Sequence, residues 1–284
     1  MSHNLIIEPN LKKHKKLNLL AQKVSEMESL ILAYSGGVDS AFLAAVANEV
    51  LGNSALSVTA VSPSLAPSEL EEAQTLAQKL GLNYRTINTN EIEREDYSAN
   101  NPDRCFFCKD ELYSHLIRFS RDENYSCVIN GTNVDDLGDY RPGLDAATQY
   151  GVRSPLVEAD LKKDDIRVLS REMDLPTWDK PAQACLSSRI PYGTMVTVEA
   201  LTTIAKAEKY LRSKGFRQLR VRHHENIARI EISSDDFKVL TSEPLRTEVP
   251  SYFKSLGYSY VTLDLEGFRS GSLNEILKSS GKSV

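Results

Sequence analysis

A chain of 284 residues, 41% hydrophobic and 26% charged, has room for two domains and the balance of a soluble globular protein. It holds no apolar run long enough to span a bilayer, and Leu5-Ile6-Ile7 is too short for the core of a secretory leader, so the sequence predicts a cytoplasmic protein with no membrane partner. The net charge of −5 argues against wholesale nucleic-acid binding, and four cysteines in so long a chain do not make a disulfide scaffold.

The basic cluster Lys12–Lys16 reads as the solvated start of a helix running to about Glu28. A strand, Leu30–Tyr34, leads into Ser35-Gly36-Gly37-Val38-Asp39-Ser40, and a helix is predicted over Ser40–Leu51. Strand, glycine turn and helix together present backbone N–H groups and two hydroxyls at the positive end of a helix, a seat for phosphate. Adjacent glycines let the backbone approach the anion without a Cβ in the way. Asp39 would repel a bare phosphate and makes sense as a ligand of a Mg²⁺ ion held by that phosphate. The stretch lacks the Gly-Lys-Ser/Thr ending of a Walker loop and is not G-x-G-x-x-G. It resembles the PP-loop of the ATP pyrophosphatases, which split ATP between the α and β phosphates.

Further strands are predicted at Ser57–Val61, Tyr84–Asn88 and Cys127–Asn130, with helices at Pro67–Leu80 and Phe106–Phe119. Ser68 with Glu71 makes a capping box, and Gly81 a stop. The alternation predicts an α/β fold, a doubly wound parallel sheet whose ligands sit at the carboxyl ends of the strands. Cys105-Phe106-Phe107-Cys108 puts two thiols at i and i+3, on one face of a helix's first turn, where thiolates are favoured. Cys127 reads as a small core residue, and His115 as a surface residue of the helix. The loop Gly131-Thr132-Asn133-Val134-Asp135-Asp136, continued by Gly138-Asp139-Tyr140-Arg141-Pro142-Gly143, leaves a strand end on the same edge as the first glycine turn. Gly131, Asn133, Asp135 and Arg141 are therefore candidate nucleotide contacts beside Ser35, Gly36, Gly37, Asp39 and Ser40.

A helix at Asp164–Met173 precedes an irregular segment, Thr177–Gly193, that carries Cys185. From three thiolates alone, a zinc ion, a redox disulfide and an iron–sulfur cluster all follow. A second pattern begins near residue 195: a helix at Val198–Ser213, strands Gln218–His223 and Ile227–Ile232 about a His224-Glu225-Asn226 turn, helices at Asp235–Leu240 and Leu245–Leu256, and a strand at Tyr260–Leu265. This predicts a small α+β domain over 196–284 after a larger domain over 1–195. Alternation places Arg220 and Arg222 on one face opposite Leu219 and Val221, and Arg229 and Glu231 opposite Ala228 and Ile230. Pairing of these strands would gather three arginines and one carboxylate on one surface. Such guanidinium density suits a phosphate or carboxylate ligand, and Arg269 is of the same type.

With Asp139-Tyr140-Arg141-Pro142-Gly143-Leu144, Cys185-Leu186-Ser187-Ser188-Arg189-Ile190-Pro191-Tyr192-Gly193-Thr194 and Arg220-Val221-Arg222 in hand, the whole chain resembles the LarE-type ATP-dependent sulfur transferases of nickel-pincer nucleotide biosynthesis. The resemblance implies an adenine nucleotide α-hydrolase-like fold. It also implies an enzyme that adenylylates a carboxylate of a pyridinium dicarboxylate mononucleotide, after which sulfur displaces AMP to leave a thiocarboxylate. It implies ATP, Mg²⁺ and, because three cysteines match Cys105, Cys108 and Cys185, a [4Fe–4S] cluster whose open iron carries sulfide. In the single-cysteine branch the residue matching Cys185 gives up its own sulfur. The substrate phosphate would meet Arg220, Arg222 and Arg269, with Glu231 and Asp236 in the same pocket. Homo-oligomers, hexamers in the family, are implied, with the sulfide donor unknown. A cluster-dependent tRNA thiolase is the rival reading, which tight, salt-sensitive tRNA binding would favour. An amidating ligase explains the nucleotide motifs but leaves the cysteines unused, and a nucleotide- or metal-sensing module would bind without turnover.

Overall fold

The computed structural model describes residues 14–138, 142–181, 184–269 and 271–275. In chain order the elements are α1 (Lys15–Ser25), β1 (Leu30–Ala33), α2 (Val38–Leu51), β2 (Ala55–Val61), α3 (Pro67–Lys79) and β3 (Asn83–Asn88). Then come α4 (Glu95–Ser98), α5 (Arg104–Asp122), β4 (Cys127–Ile129), α6 (Pro142–Gln149), α7 (Pro155–Glu158) and α8 (Lys163–Glu172). The last are α9 (Val198–Ser213), β5 (Leu219–His224), β6 (Ile227–Ile232), α10 (Phe237–Leu240), α11 (Leu245–Ser255) and β7 (Tyr260–Leu263). No helix among the described residues is long and apolar enough to cross a membrane.

Two compact units result. The first comprises Met1–Ser62, Ser68–Glu91 and Asp103–Gln183, and the second Pro63–Pro67, Ile92–Pro102 and Ala184–Val284, each as far as its residues are described. The second unit thus draws two short stretches from the first half of the chain.

In the first unit the four-stranded sheet has the order β3-β2-β1-β4, with every pairing parallel. The inner strands β1 and β2 and the short β4 are largely buried and mostly apolar, as strands covered on both faces are, whereas the edge strand β3 is polar and partly exposed. Leu30 and Leu32 of β1 enter the core formed with α1, α2 and α8, while Ile31 joins Leu56, Val58, Val128, Tyr113 and Leu116 on the opposite face. The two-residue period of a strand divides one apolar run between two cores. Helix α2 is apolar on all sides and buries every residue from 40 to 47, as a helix covered all round must. The predicted Ser68 cap does not form: α3 begins at Pro67, so Ser68 lies inside the first turn. Proline at the first helical position lacks an N–H that would have gone unpaired there. Cys127 opens β4 half-buried, and burial pushes its thiol pKa up. His115 is surface-placed as the spacing predicts, with Glu111 3.2 Å away.

The second unit carries a three-stranded sheet, β5-β6-β7, antiparallel between β5 and β6 and parallel between β6 and β7. The hairpin turn is shorter than predicted. His224 stays in β5, and Glu225, at φ 54°, takes the left-handed position of the turn. Leu219, Val221, Ala228, Ile230 and Ile232 pack with Leu211, Val249 and Phe253 into a core of its own.

Candidate active site

Strands β1 and β4 lie side by side in parallel register, Leu30 beside Cys127, so the loops leaving their carboxyl ends share one edge of the sheet. At Gly36 the backbone takes φ 69°, and a Cβ there would stand 2.8 Å from the Cβ of Ala73 on α3. Only glycine fits both constraints. Gly37 caps α2 with no side-chain hydrogen bond to the helix start, which leaves the helix's positive end to an external anion. Helix α2 begins two residues earlier than predicted, placing Asp39 and Ser40 within its first turn. The Ser35 and Ser40 hydroxyls stand 3.0 Å apart, and the Gly37 N–H donates to Ser35 Oγ at 3.3 Å. Both hydroxyls brace the loop in this state.

The loop after β4 closes on this helix start. A Cβ at Gly131 would lie 3.0 Å from Ser40 N. Asn133 is 1% exposed. Its Oδ1 accepts from the Asp135 and Asp136 N–H groups at 3.0 and 3.3 Å, and its Nδ2 is buried without a partner. Asp135 Oδ2 accepts from the backbone N–H of Lys163 at 2.8 Å. The Lys163 ammonium in turn pairs with Asp39 Oδ2, while Asp39 Oδ1 is buried with no hydrogen-bond partner. A second lysine, Lys180, donates to the Gly36 carbonyl at 3.2 Å and pairs with Glu72 at 2.9 Å. An orphaned carboxylate oxygen at the positive end of a helix, within reach of an exchangeable ammonium, fits a divalent cation that arrives with a phosphate. Ser35, Gly36, Gly37, Asp39, Ser40, Gly131, Asn133 and Asp135 are therefore gathered at one sheet edge. Arg141 lies outside the described residues.

Cys105 and Cys108 sit one turn apart at the start of α5, the first exposed and the second half-buried. No acidic residue occupies that first turn, though Asp103 stands at the N-cap. The pair fits two ligands of a soft metal or cluster. Among the described residues no group of three or more His, Cys, Asp or Glu is placed to hold a metal ion. Cys105 and Cys108 belong to the first unit and Cys185 to the second.

Within the second unit, half-buried Cys185 leads into the helical turn Leu186–Arg189. Buried Arg189 donates to the carbonyls of Ala184 (2.6 Å) and Cys185 (3.2 Å), and its other nitrogens grip Glu208 at 2.8 and 3.1 Å. Tyr97 holds Ser187 at 2.6 Å, and Asn100 Nδ2 donates to Pro191 O and Thr194 O at 2.7 and 2.9 Å. The cysteine's backbone is thus fixed by side chains from distant parts of the chain.

The arginine cluster differs from its predicted form. The hairpin register sets Arg220 opposite Glu231 and Arg222 opposite Arg229, as alternation requires. Most of the shared face is not a surface, however: Arg220, Arg222 and Glu231 are 7%, 2% and 1% exposed, and only the Arg229 side chain of the four, at 40%, stays open. Arg222 makes a bidentate pair with Glu231 at 2.8 and 3.0 Å and donates to Ser188 O and Ser272 Oγ, both at 2.6 Å. Its donors are thereby committed to the protein. Arg220 instead hydrogen-bonds the Arg269 carbonyl at 3.1 Å and lies over the Phe268 ring at 4.8 Å. Burial first, then Arg222 and Arg189, pull its pKa down to about 10. Arg269 reaches Glu275 at 3.1 Å and Glu266 at 2.8 Å. Asp236 ends a short turn, Ser234–Asp236, and no hydrogen bond or ion pair among the described residues joins its carboxylate to these arginines. Lys163, Lys180, Glu208 and Asn100 carry no signal in the sequence: each reads as a solvated helix position or a turn residue.

Comparison with known proteins adds an independent line. The NAD synthase family model matches residues 13–118. An uncharacterized protein of Synechocystis is 48% identical over 92% of this chain and 98% of its own length. The pyridinium-3,5-bisthiocarboxylic acid mononucleotide synthase of Lactiplantibacillus plantarum is 39% identical over 93% of this chain and 95% of its own. The NH(3)-dependent NAD(+) synthetase of Thermococcus sibiricus is 28% identical over 57% of the chain.

Proposed function

We propose a reaction for this chain from one premise: it belongs to the family of pyridinium-3,5-bisthiocarboxylic acid mononucleotide synthases, LarE-type sulfur transferases built on a PP-loop domain. The reaction is ATP-dependent conversion of a carboxylate on a pyridinium mononucleotide to a thiocarboxylate through an acyl-adenylate. The observation that carries this reading is the 39% identity that runs through both units, not the PP-loop region alone. The chemistry needs activation because a carboxylate resists nucleophiles, whereas its mixed anhydride with AMP does not.

The residues divide the work. The positive end of α2 and the loop Ser35–Ser40 bind the ATP phosphates. Asp39 would hold a Mg²⁺ ion, which when bound would supply charge neutralisation for the pyrophosphate leaving group. Gly131, Asn133 and Asp135 line the nucleotide side. In the second unit, Arg220 and Arg269 take the substrate phosphate. Arg222, held by Glu231, positions the Ser188 backbone next to Cys185. Cys105, Cys108 and Cys185 are the thiolates we assign to a [4Fe–4S] cluster, which when bound supplies the sulfide that displaces AMP.

Pyrophosphate release tests the reading. With ATP and Mg²⁺, the chain is expected to release pyrophosphate only when the pyridinium dicarboxylate mononucleotide is present, with AMP and thiocarboxylate forming once sulfide is added. Release that ignores the mononucleotide, or formation of ADP, would overturn it.

A further inference from the structure

The Lys163–Asp39 ion pair is unexplained by the reaction as written. Asp39 is the carboxylate assigned to Mg²⁺, yet one of its oxygens is occupied by an ammonium and the other is buried without a partner. The lysine is not there by accident of a long, mobile side chain. Its backbone N–H is fastened to Asp135 Oδ2 at 2.8 Å, and it is the first residue of α8. The loop after β4, which packs on Ser40, therefore carries the anchor that presents Lys163 to Asp39. Both side chains are only partly exposed, 32% for Lys163 and 19% for Asp39, so solvent screens their attraction less than on an open surface.

We propose that Lys163 is a resident counter-ion for Asp39 that Mg²⁺ must displace, so that this lysine sets how strongly nucleotide binding depends on the metal. The inference deepens the ATP–Mg²⁺ reading of this site and rests on it. Without metal, Lys163 neutralises Asp39 and lets the polyphosphate approach a carboxylate that would otherwise repel it. With metal, the ammonium leaves Asp39 and the cation takes its place. Removing the ammonium moves two affinities in opposite directions. Metal-free nucleotide binds more weakly because Asp39 is bare, and metal-loaded nucleotide binds more tightly because nothing competes for the carboxylate. No covalent step is involved.

The test is calorimetric titration of the full chain with α,β-methylene-ATP, which cannot be cleaved at the reacting bond, in Mg²⁺ and in EDTA. The quantity read is the ratio of the two dissociation constants. In Lys163→Gln the ratio is expected to rise about tenfold over wild type, the scale of one lost charge pair at a partly buried site. Lys163→Arg, which keeps the charge, should stay within about twofold of wild type. Mn²⁺ alone, followed by its electron paramagnetic resonance signal, should bind Lys163→Gln more tightly than wild type. A ratio unchanged in Lys163→Gln, with both affinities falling together, would mean a purely structural lysine and would overturn the proposal. A wild-type chain that binds the analogue in neither medium would overturn the ATP reading itself, a separable failure.

Discussion

The PP-loop edge of the first unit and the arginine layer of the second, the two anion sites proposed above, are built in opposite ways. The first relies on backbone: a glycine at φ 69°, an uncapped helix start, and two lysines whose ion pairs are partly exposed. The second relies on guanidinium groups that are buried and, for Arg222 and Arg189, already matched by carboxylates. A backbone site loses its ligand without loss of fold. A layer of buried ion pairs is part of the fold, because breaking one partner strands a charge in the interior. Removing a side chain at the first edge should therefore cost chemistry, and removing one in the second should cost stability.

The sharpest break of this contrast is Asp39→Ala. It is expected to lower the rate of substrate-dependent pyrophosphate release by about a thousandfold, the scale of losing a metal's grip on transition-state charge, while the thermal midpoint stays near wild type. A variant that unfolds instead would place Asp39 in the architecture and dissolve the contrast. Next comes Glu231→Gln, which keeps the shape but leaves Arg222 uncompensated. It should lower the unfolding free energy by about 3 kcal/mol, read from urea denaturation. Unchanged stability would make the arginine layer as separable from the fold as the PP-loop edge.

The smallest effect is a pH dependence confined to the second unit. Burial first, then Arg229 and Arg222, hold the His224 pKa below the ordinary histidine value, and burial lowers that of His223. Because the folded imidazoles release their protons more readily, the unfolded chain binds more protons as pH falls through the usual histidine range. Stability should therefore decline from pH 7.5 to 5.5 and be fully present above it. His224→Gln should flatten that decline in thermal-midpoint measurements; an unaltered slope would show that other groups set it.

The two regions also differ in how far they could be read in advance. Ser35–Ser40 was legible because a phosphate seat needs glycines at fixed places between a strand and a helix, and those constraints are local. The parallel sheet followed from apolar runs alternating with helices. Arg220 and Arg222 were identified, and so was the face they share. Their burial was not, since strand periodicity tells which residues point together but not what covers them. Glu208 shows the same limit: a glutamate in the middle of a helix reads as solvated, yet it is 4% exposed and paired with Arg189, nineteen residues upstream. Lys163, Asn100 and Tyr97 act across long sequence separations that no spacing records. The sequence pattern changes near residue 195, whereas the second unit resumes at Ala184 and also takes in Pro63–Pro67 and Ile92–Pro102, which depends on contacts made only after folding.

Oxygen-isotope transfer tests the central claim most directly. With a pyridinium dicarboxylate mononucleotide whose carboxylate oxygens are heavy-labelled, thiolation through an acyl-adenylate must deliver one labelled oxygen to the phosphate of AMP, and mass spectrometry of AMP is predicted to find it there. Unlabelled AMP, or label in the pyrophosphate, would contradict the account.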